Sequence, residues 1–318
     1  MTGTDPTGDG PVLARLPRPR IDDRVRIAVV ADPHLAVDRS GTWKVARRSR
    51  ARLATAVADA GDLADVTVLA GDLTRDGTRA EFDAVDDVLA DLPEPWVAIP
   101  GNHDVPKRFD DHDGLPVAAF ERRYGSLPGT VSAGPVTLLC LNTASTPDGR
   151  LRGTWGGRVG EAGRAWLSDR LAGAETPVVV CHHNLAPLPE NPGGKWENFP
   201  LQDAAAVREL LRRHEVRLAV TAHHHVPAVA EHGPTTELLA PATCSYPQAW
   251  LLLEVGPDGT TARLVPLAGP EGIREASRAA RTGKPLGVGI AEMVDRRLDG
   301  LPLVDRGQDR SPTDENCF

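Results

Sequence analysis

The chain has 318 residues, of which 41% are hydrophobic and 25% are charged, and its formal net charge is −8. This composition is typical of a folded globular protein and argues against a disordered or collagen-like chain. The acidic balance argues against a protein that coats nucleic acid, because such a protein needs a basic face. Four cysteines without a C-x-x-C pair argue against a disulfide scaffold or a thiolate zinc cluster.

The two ends of the chain have little hydrophobic pattern. Residues 1–20 are rich in Gly, Pro, Thr and Asp and lack the basic and apolar regions of a secretory signal, and residues 304–318 are similarly polar. No apolar run approaches the roughly 18 residues of a membrane span. We therefore expect disordered tails at 1–20 and 304–318 and a soluble, cytoplasmic protein without a membrane partner.

Short apolar runs alternate with longer helical patterns in the first half of the chain. Continuous apolar runs at 25–31, 66–70 and 96–100 predict buried strands, and the segments 45–60 and 78–92 between them predict helices. Apolar strands separated by helices are typical of βαβ units in a sheet that is covered on both faces. The fold class is therefore predicted to be α/β.

The second half begins in the same way and then becomes rich in strands. The predicted elements are a hairpin at 130–142, a helix at 161–171, a strand at 177–182, a helix at 204–214, a strand at 216–222, and short strands at 227–230, 237–240, 250–255 and 261–266. Residues 271–300 then carry two helical patterns, which are separated by Gly283-Lys284-Pro285. These helices predict an appendage packed on the domain.

Oxygen and imidazole side chains stand at the ends of five successive predicted strands. They are Asp32 and His34 after 25–31, Asp72 after 66–70, Asn102 after 96–100, His182 at the end of 177–182, and His223 and His225 after 216–222. A lone Asp or His is more often a solvated loop residue or a helix cap. The repetition in one order at strand ends is the informative feature, because an open α/β sheet places its ligand crevice there.

The chemistry of these seven side chains predicts a pair of metal ions. Two carboxylates, one amide oxygen and four imidazoles suit Mn, Fe, Zn or Co, and they exceed what one catalytic ion uses while keeping an open position. If one carboxylate bridges, two sites of four protein ligands result. Two bridged ions about 3.5–4 Å apart can clamp a phosphoryl group and lower the pKa of an attacking water.

The same motifs resemble those of the calcineurin-like metallophosphoesterases. The similarity is carried by Asp32-Pro-His34, Gly71-Asp72, Gly101-Asn-His-Asp104, His182-His183 and His223-His-His225, in this order, and it spans about residues 25–268. It is closest to the branch that includes the class III cyclic-nucleotide phosphodiesterases. The resemblance implies a four-layer α/β/β/α sandwich with a dinuclear centre at one edge. On this basis we assign the metallophosphoesterase domain to 21–268 and a short C-terminal helical extension to 269–303.

The resemblance also implies a role for individual residues. Asp32, His34 and His225 match ligands of a first metal, Asn102, His182 and His223 match ligands of a second metal, and Asp72 together with a hydroxide would bridge two Mn, Fe or Zn ions. His103 matches the histidine that assists departure of the leaving group. Four further residues are candidates near the substrate: Asp104 as a partner of the His103 ring, Arg75 as a phosphate contact, and His183 and Asn142 at the cleft.

The sequence departs from the family pattern at a few positions. Ala222 replaces the usual Gly before the last His-x-His, and Arg75 stands where many relatives have an acidic residue. Since alternate side chains of a strand face opposite ways, His223 and His225 are expected to share one side and His224 to point elsewhere. Trp196 and Phe199 form an aromatic pair that could stack on a nucleobase or cover the core.

The predicted function is hydrolysis of a small phosphate ester by in-line attack of a metal-bridging hydroxide. A phosphodiester such as a 3′,5′-cyclic nucleotide is the first candidate substrate, and a phosphomonoester is an alternative. A DNA or RNA exonuclease is a second alternative, which the charge of −8 disfavours. A non-catalytic scaffold is a third, which the complete set of candidate ligands disfavours. Metal identity and oligomeric state stay open at this stage.

Overall fold

Two β-sheets form the centre of the fold in a computed structural model that describes residues 10–37, 43–188 and 201–306. The strands are β1 (Val12–Leu16), β2 (Val25–Val30), β3 (Val66–Leu69), β4 (Trp96–Ala98), β5 (Gly129–Ala133), β6 (Val136–Leu141), β7 (Thr176–Cys181), β8 (Leu218–Thr221), β9 (Ala228–His232), β10 (Thr235–Leu239), β11 (Ala249–Gly256), β12 (Gly259–Pro266) and β13 (Val304–Asp305). The helices are α1 (Ser49–Leu63), α2 (Arg79–Leu89), α3 (Val117–Tyr124), α4 (Gly160–Leu171), α5 (Ala204–Arg213), α6 (Pro270–Thr282) and α7 (Pro285–Asp299).

Both sheets are mixed. The first has the strand order β13-β1-β12-β11-β2-β3-β4, and the second has the order β5-β6-β7-β8-β10-β9. Strands β2, β3 and β4 are parallel to one another, as are β6, β7, β8 and β10. Parallel strands of one sheet end at the same edge, so the loops that carry the candidate site residues are brought together there.

The sheets face each other and each is covered by helices on its outer face. In β2, Ile27 and Val29 belong to the core between the sheets, together with Val180 of β7. The alternate residues Ala28 and Val30 pack instead in the cluster that includes helices α1 and α2. A third cluster joins helices α4 and α5 to the second sheet. This confirms the four-layer α/β/β/α fold, and it explains why the strands are continuously apolar.

The C-terminal extension is a helical hairpin packed on the outer strands of the second sheet. Ile290 and Val294 of α7 share a small core with Leu239 of β10 and with Trp43. Gly287 makes this approach possible, because a Cβ atom at this position would lie 2.7 Å from the Cβ of Trp43. None of the helices in the part of the chain that the structure describes is long and apolar enough to cross a membrane.

The prediction of tails at 1–20 and 304–318 is wrong where the structure describes those segments. Residues 12–16 form β1, which pairs with β12 on one side and with β13 on the other. Leu13 and Leu16 of β1 are buried. The apolar run of β1 is short and is flanked by Gly and Pro residues. Only pairing with strands that are distant in the sequence stabilises this strand. Residues 1–9 and 307–318 lie outside the described residues.

Helix α3 was not predicted either. Its aromatic residues Phe120 and Tyr124 pack on Phe82 of α2, with ring centroids 6.1 and 6.3 Å from that of Phe82. A segment of eight residues is too short for a reliable helical period, so tertiary packing decides its conformation.

Strand β1 offers a direct test of the corrected N-terminal boundary. Leu13→Ala removes a fully buried side chain, and we expect it to lower the free energy of unfolding by about 2–5 kcal/mol. Arg15→Ala on the same strand is the matched control, because its side chain is 41% exposed and an exposed ion pair contributes at most about 1 kcal/mol. Urea denaturation followed by circular dichroism measures both. A small effect of Leu13→Ala, equal to that of the control, would contradict the structural role of β1.

Candidate metal centre

All seven predicted ligand residues meet at one edge of the two sheets. Backbone hydrogen bonds join their loops: Asp32 N–H donates to the Gly71 carbonyl (3.0 Å), His34 N–H to the Asp72 carbonyl (2.9 Å), and Ala222 N–H to the His182 carbonyl (2.9 Å). A further hydrogen bond, from the His223 N–H to Asp32 Oδ2 (3.2 Å), crosses from the second sheet to the first, so the loops after β2, β3, β7 and β8 form one connected framework.

Asp72 stands at the centre of this cluster. Its Oδ2 atom lies 3.4 Å from His34 Nε2 and 3.4 Å from His182 Nε2. Its Oδ1 atom accepts a hydrogen bond of 2.8 Å from the backbone N–H of His103. The side chain is buried, so one carboxylate oxygen faces two imidazoles that come from different sheets.

The remaining residues form one group on each side of Asp72. Asp32 Oδ1 lies 3.3 Å from His225 Nε2 and 3.7 Å from His34 Nε2. On the other side, the donor atoms of Asp72, His182 and His223 all lie within 4.8 Å of one another. The arrangement is therefore two donor groups that share Asp72.

Several buried atoms of these groups have no hydrogen-bond partner among the described residues. They are Asp32 Oδ1, Asn102 Oδ1 and His182 Nε2. An unpaired buried polar atom costs about 1–3 kcal/mol, and bound cations would satisfy all three. Lys44 shows the preference for positive charge, because its Nζ atom lies 2.9 Å from His34 Nε2 in the middle of the cluster. The residues fit a pair of metal ions.

The electrostatics of the cluster also indicate that it fits bound cations. Burial alone would raise the pKa of Asp72, but the charges of His182, His103 and His34 hold it well below its usual value. Burial would lower the pKa of His182, yet the Asp72 carboxylate raises it to about 9. The centre therefore holds negative charge that must be balanced by a proton or by a metal.

Hydrogen bonds fix which ring nitrogen faces the centre. His182 Nδ1–H donates to the Ala70 carbonyl (2.8 Å), and His103 Nδ1–H donates to the Arg75 carbonyl (2.7 Å). A carbonyl can only accept, so the proton is on Nδ1 in both rings. Nε2 of His182 therefore points toward Asp72, and Nε2 of His103, which lies 3.5 Å from Lys44 Nζ, faces the cleft.

Five of the seven residues have a left-handed backbone. Their φ angles are 50° for Asp32, 41° for His34, 53° for Asp72, 69° for His223 and 61° for His225. Residues other than Gly rarely adopt this conformation, and such strain clusters at functional sites. His223 and His225 lie beyond the end of β8, so sharp backbone turns bring them into the cluster. We expected the alternation of side chains along a strand to place His223 and His225 on one side, and this expectation is wrong because neither residue lies in the strand.

Glycine provides the close approach that Asp72 needs. A Cβ atom at Gly101 would lie 2.0 Å from Asp72 Oδ1, and a Cβ atom at Gly71 would lie 2.5 Å from His182 Nδ1. Gly71 also has a φ of +94°. The glycines of the Gly-Asp and Gly-Asn-His-Asp motifs are therefore required for steric reasons, independently of metal chemistry.

Asp104 does not contact the His103 ring, contrary to the prediction. Its carboxylate is fully buried and accepts hydrogen bonds from the backbone N–H groups of Leu73, Thr74 and Gly101 and from the Thr74 hydroxyl. Burial and the nearby Asp72 raise the pKa of Asp104 to about 7, against these hydrogen bonds. Asp104 thus ties the Asp72 loop to the Asn102 loop.

His183 and Asn142 also lie behind the centre rather than at the cleft. His183 Nε2–H donates to the Trp155 carbonyl (3.0 Å), and its Nδ1 atom accepts from the Thr143 hydroxyl (2.8 Å), so both nitrogens are used. The Asn142 side chain accepts from the backbone of Ala144 and caps the turn after β6. Neither side chain offers a group to a substrate.

Arg75, in contrast, lines the cleft, and its role as a phosphate contact stays a prediction. Its guanidinium lies 3.8 Å from Asp76, and the buried Nη1 atom has no hydrogen-bond partner among the described residues. Trp196 and Phe199, the predicted aromatic pair, lie outside those residues.

The sequence interpretation missed three residues at the centre. Lys44 lies among the donor atoms, and Trp155 stacks on His103 with ring centroids 4.9 Å apart and an interplanar angle of 19°. Ser245 Oγ lies 2.8 Å from His225 Nδ1. Lys44 and Trp155 belong to no motif, so only the structure reveals them. Ser245 lies in the segment between β10 and β11, 20 residues after His225.

A cleft of about 1350 Å³ opens beside the two donor groups. His34, His103 and Arg75 line its inner part, and α6 forms one wall. A substrate can therefore reach the candidate metal centre from solvent.

Comparisons with known proteins agree with this geometry. The family model for calcineurin-like phosphoesterases matches residues 25–227. A probable cyclic nucleotide phosphodiesterase from Synechococcus sp. is 30% identical over 74% of this chain and 89% of its own length. The 3′,5′-cyclic adenosine monophosphate phosphodiesterase of Escherichia coli is 24% identical over 74% of this chain and 87% of its own length. Among solved structures, a dimetal phosphatase from Danio rerio has a TM-score of 0.59 at 14% identity, covering 77% of this chain and 96% of that one.

The chain belongs to the calcineurin-like phosphoesterase family. It is therefore a metal-dependent phosphoester hydrolase, as the strand-end motifs predicted.

The role of Asp104 as a tie between two loops can be tested by Asp104→Asn. The amide NH₂ would face backbone N–H groups, and we expect the free energy of unfolding to fall by about 2 kcal/mol or more. Bound metal should fall as well, because the loops of Asp72 and Asn102 lose their common anchor. Thermal unfolding and elemental analysis measure the two effects. Asp111→Asn, an exposed change in the following loop, is the control, and an Asp104→Asn protein as stable and as metal-loaded as this control would contradict the role.

Proposed function

We propose that this hydrolase cleaves a phosphodiester of a small nucleotide, with a 3′,5′-cyclic nucleotide as the first candidate substrate. The observation that carries the proposal is the single buried Asp72 oxygen, placed 3.4 Å from imidazoles of two donor groups beside an open cleft. The names of the Synechococcus and Escherichia coli relatives support the choice of a cyclic nucleotide.

Each donor group would hold one ion of Mn, Fe or Zn. Asp32, His34 and His225 would bind the first ion, Asn102, His182 and His223 would bind the second, and Asp72 would bind both. When bound, two such ions polarise the phosphate and lower the pKa of the attacking water. Lys44 would have to leave the position beside His34 that it takes in this structure.

The protein's own side chains would orient the ester and handle the proton. Arg75, whose buried Nη1 atom has no partner in the part of the chain that the structure describes, supplies a donor for a phosphate oxygen. The hydrogen bond to the Arg75 carbonyl and the stacked Trp155 ring hold His103 in one orientation. In its doubly protonated form, the His103 ring can deliver the Nε2 proton to the leaving oxygen of the ester and keep the Nδ1 proton on the Arg75 carbonyl.

Asn102→Ala tests whether the second donor group holds a metal needed for turnover. We expect hydrolysis of bis-p-nitrophenyl phosphate by chelator-stripped protein with Mn²⁺ restored to fall by more than about 100-fold, together with a loss of bound metal. p-Nitrophenyl phosphate, assayed in parallel, reports any preference for a monoester. Asn142→Ala removes an amide outside the donor groups and should keep both metal and turnover. Unchanged turnover by Asn102→Ala would contradict the proposed function.

The role of His103 can be separated from metal binding by changing the leaving group. His103→Gln should lower hydrolysis of a cyclic nucleotide by about 10²–10⁴-fold, because an alkoxide needs a proton to leave. The loss with bis-p-nitrophenyl phosphate should be much smaller, since p-nitrophenolate leaves unprotonated. His112→Gln, in the following loop, is the control. Equal losses with both esters would argue against proton delivery by His103.

A further inference from the structure

The cleft beside the metal centre is strongly basic, although the whole chain has a net charge of −8. Eight Lys and Arg residues line it, against three Asp and Glu residues. A cleft lined by one sign of charge focuses its field and concentrates ligands of the opposite sign. Its volume of about 1350 Å³ also exceeds the roughly 300–1,000 Å³ of a common small-ligand site. The cleft therefore has room and charge for more than one phosphate.

Some of these basic side chains already have partners within the protein. Arg47 and Arg48 both pair with Glu275 of α6. Arg52 donates to the Gln248 side chain and to the Leu267 carbonyl. These three residues stabilise the contact between α6 and the domain, so they do not account for the binding capacity of the cleft.

Arg274 and Arg278 of α6 are different. Both line the cleft, both are exposed, and neither side chain has an ion pair or hydrogen bond among the described residues. Because they are four residues apart in a helix, they project from the same face, with Cβ atoms about 5–6 Å apart. Two unpaired guanidinium groups at this spacing make a ready binding site for a phosphate group.

Helix α6 is held in a definite position relative to the metal centre. The hairpin packs on Trp43 through Gly287, and the Trp43 ring lies 5.0 Å from the ring of His225. Arg281 of α6 and the Tyr246 hydroxyl both bond to Asp295 of α7. The two arginines are thus attached to the same rigid framework as the candidate metal ligands.

We propose that Arg274 and Arg278 form a second phosphate subsite, and that the substrate is a small nucleotide with a further phosphate group besides the phosphodiester that is cleaved. This inference rests on the proposed function and narrows its substrate class to nucleotides, cyclic ones included, that carry a second phosphate group. The scissile group would lie at His103 and Arg75, and the second phosphate would lie along the wall formed by α6. The C-terminal extension is then part of the substrate site.

A matched pair of chromogenic esters tests the subsite. Thymidine 5′-(p-nitrophenyl phosphate) and its 3′-phosphorylated derivative have the same scissile bond and leaving group, and differ only in the second phosphate. With Mn²⁺-restored protein we expect kcat/KM to be at least about tenfold higher for the 3′-phosphorylated ester, mainly through a lower KM. Bis-p-nitrophenyl phosphate, which has no second phosphate, reports the basal reaction.

Substitutions in α6 connect this preference to the two arginines. Arg274→Gln and Arg278→Gln should each remove most of the preference and leave turnover of bis-p-nitrophenyl phosphate unchanged. Arg296→Gln removes one charge from an exposed position of α7 that does not line the cleft, and it should retain the preference. Equal kcat/KM for both esters, or a preference that survives in Arg274→Gln and Arg278→Gln, would overturn the subsite.

Binding measurements keep this test separate from the proposed function. By calorimetry, adenosine 3′,5′-bisphosphate should bind at least about tenfold more tightly than adenosine 5′-monophosphate, and Arg278→Gln should abolish the difference. If no ester is hydrolysed but the binding difference is present, the proposed function fails and the subsite stands. If turnover is present but the binding difference is absent, the subsite fails alone. Faster cleavage of a single-stranded oligodeoxynucleotide than of the bisphosphorylated ester would overturn the small-nucleotide class.

Discussion

The buried carboxylate of Asp72 is the group on which the rest of the site depends. An isolated carboxylate in a protein interior is costly unless positive charge or hydrogen bonds compensate it. Asp72 has His103 N–H on one oxygen and two imidazoles at 3.4 Å on the other. The glycine at 101, the strained backbone and the Asp104 tie all serve to keep it in this place. The fold thus holds a concentration of negative charge that lowers its stability and that metal ions can neutralise.

The two sheets contribute to this centre in different ways. The first sheet supplies both carboxylates and the Asn102 amide, and the second supplies three of the four imidazoles. Neither sheet has a complete donor group on its own, because Asp32 faces His225 and Asp72 faces His182 across the gap between them. The apolar core between the sheets therefore sets the distances within the centre, so packing far from the site is connected to its chemistry.

The helical hairpin both covers the second sheet and forms part of the cleft beside the metal centre. Helix α7 covers the outer strands of the second sheet, and α6 forms a wall of the cleft. Arg274 and Arg278 of this wall line the cleft without an acidic partner among the described residues, whereas Arg47 and Arg48 pair with Glu275. A wall of this kind selects substrates by charge and size, while the metal centre determines the bond that is cleaved.

The sequence by itself determined the α/β class, most strands and helices, and the residues that stand at the strand ends, because those follow from apolar runs and from their local ends. The start of α2 is one example, since a helix was predicted from residue 78 and Thr78 and Glu81 form a reciprocal cap there. Strand β1, the roles of Asp104 and His183, the position of Lys44 and the placement of the hairpin were decided by tertiary structure. Each depends on partners far along the chain: β1 pairs with residues near 260 and 304, and Asp104 binds backbone groups about thirty residues away. Local pattern contains no information about such pairings, so they become visible only when the sheets are assembled.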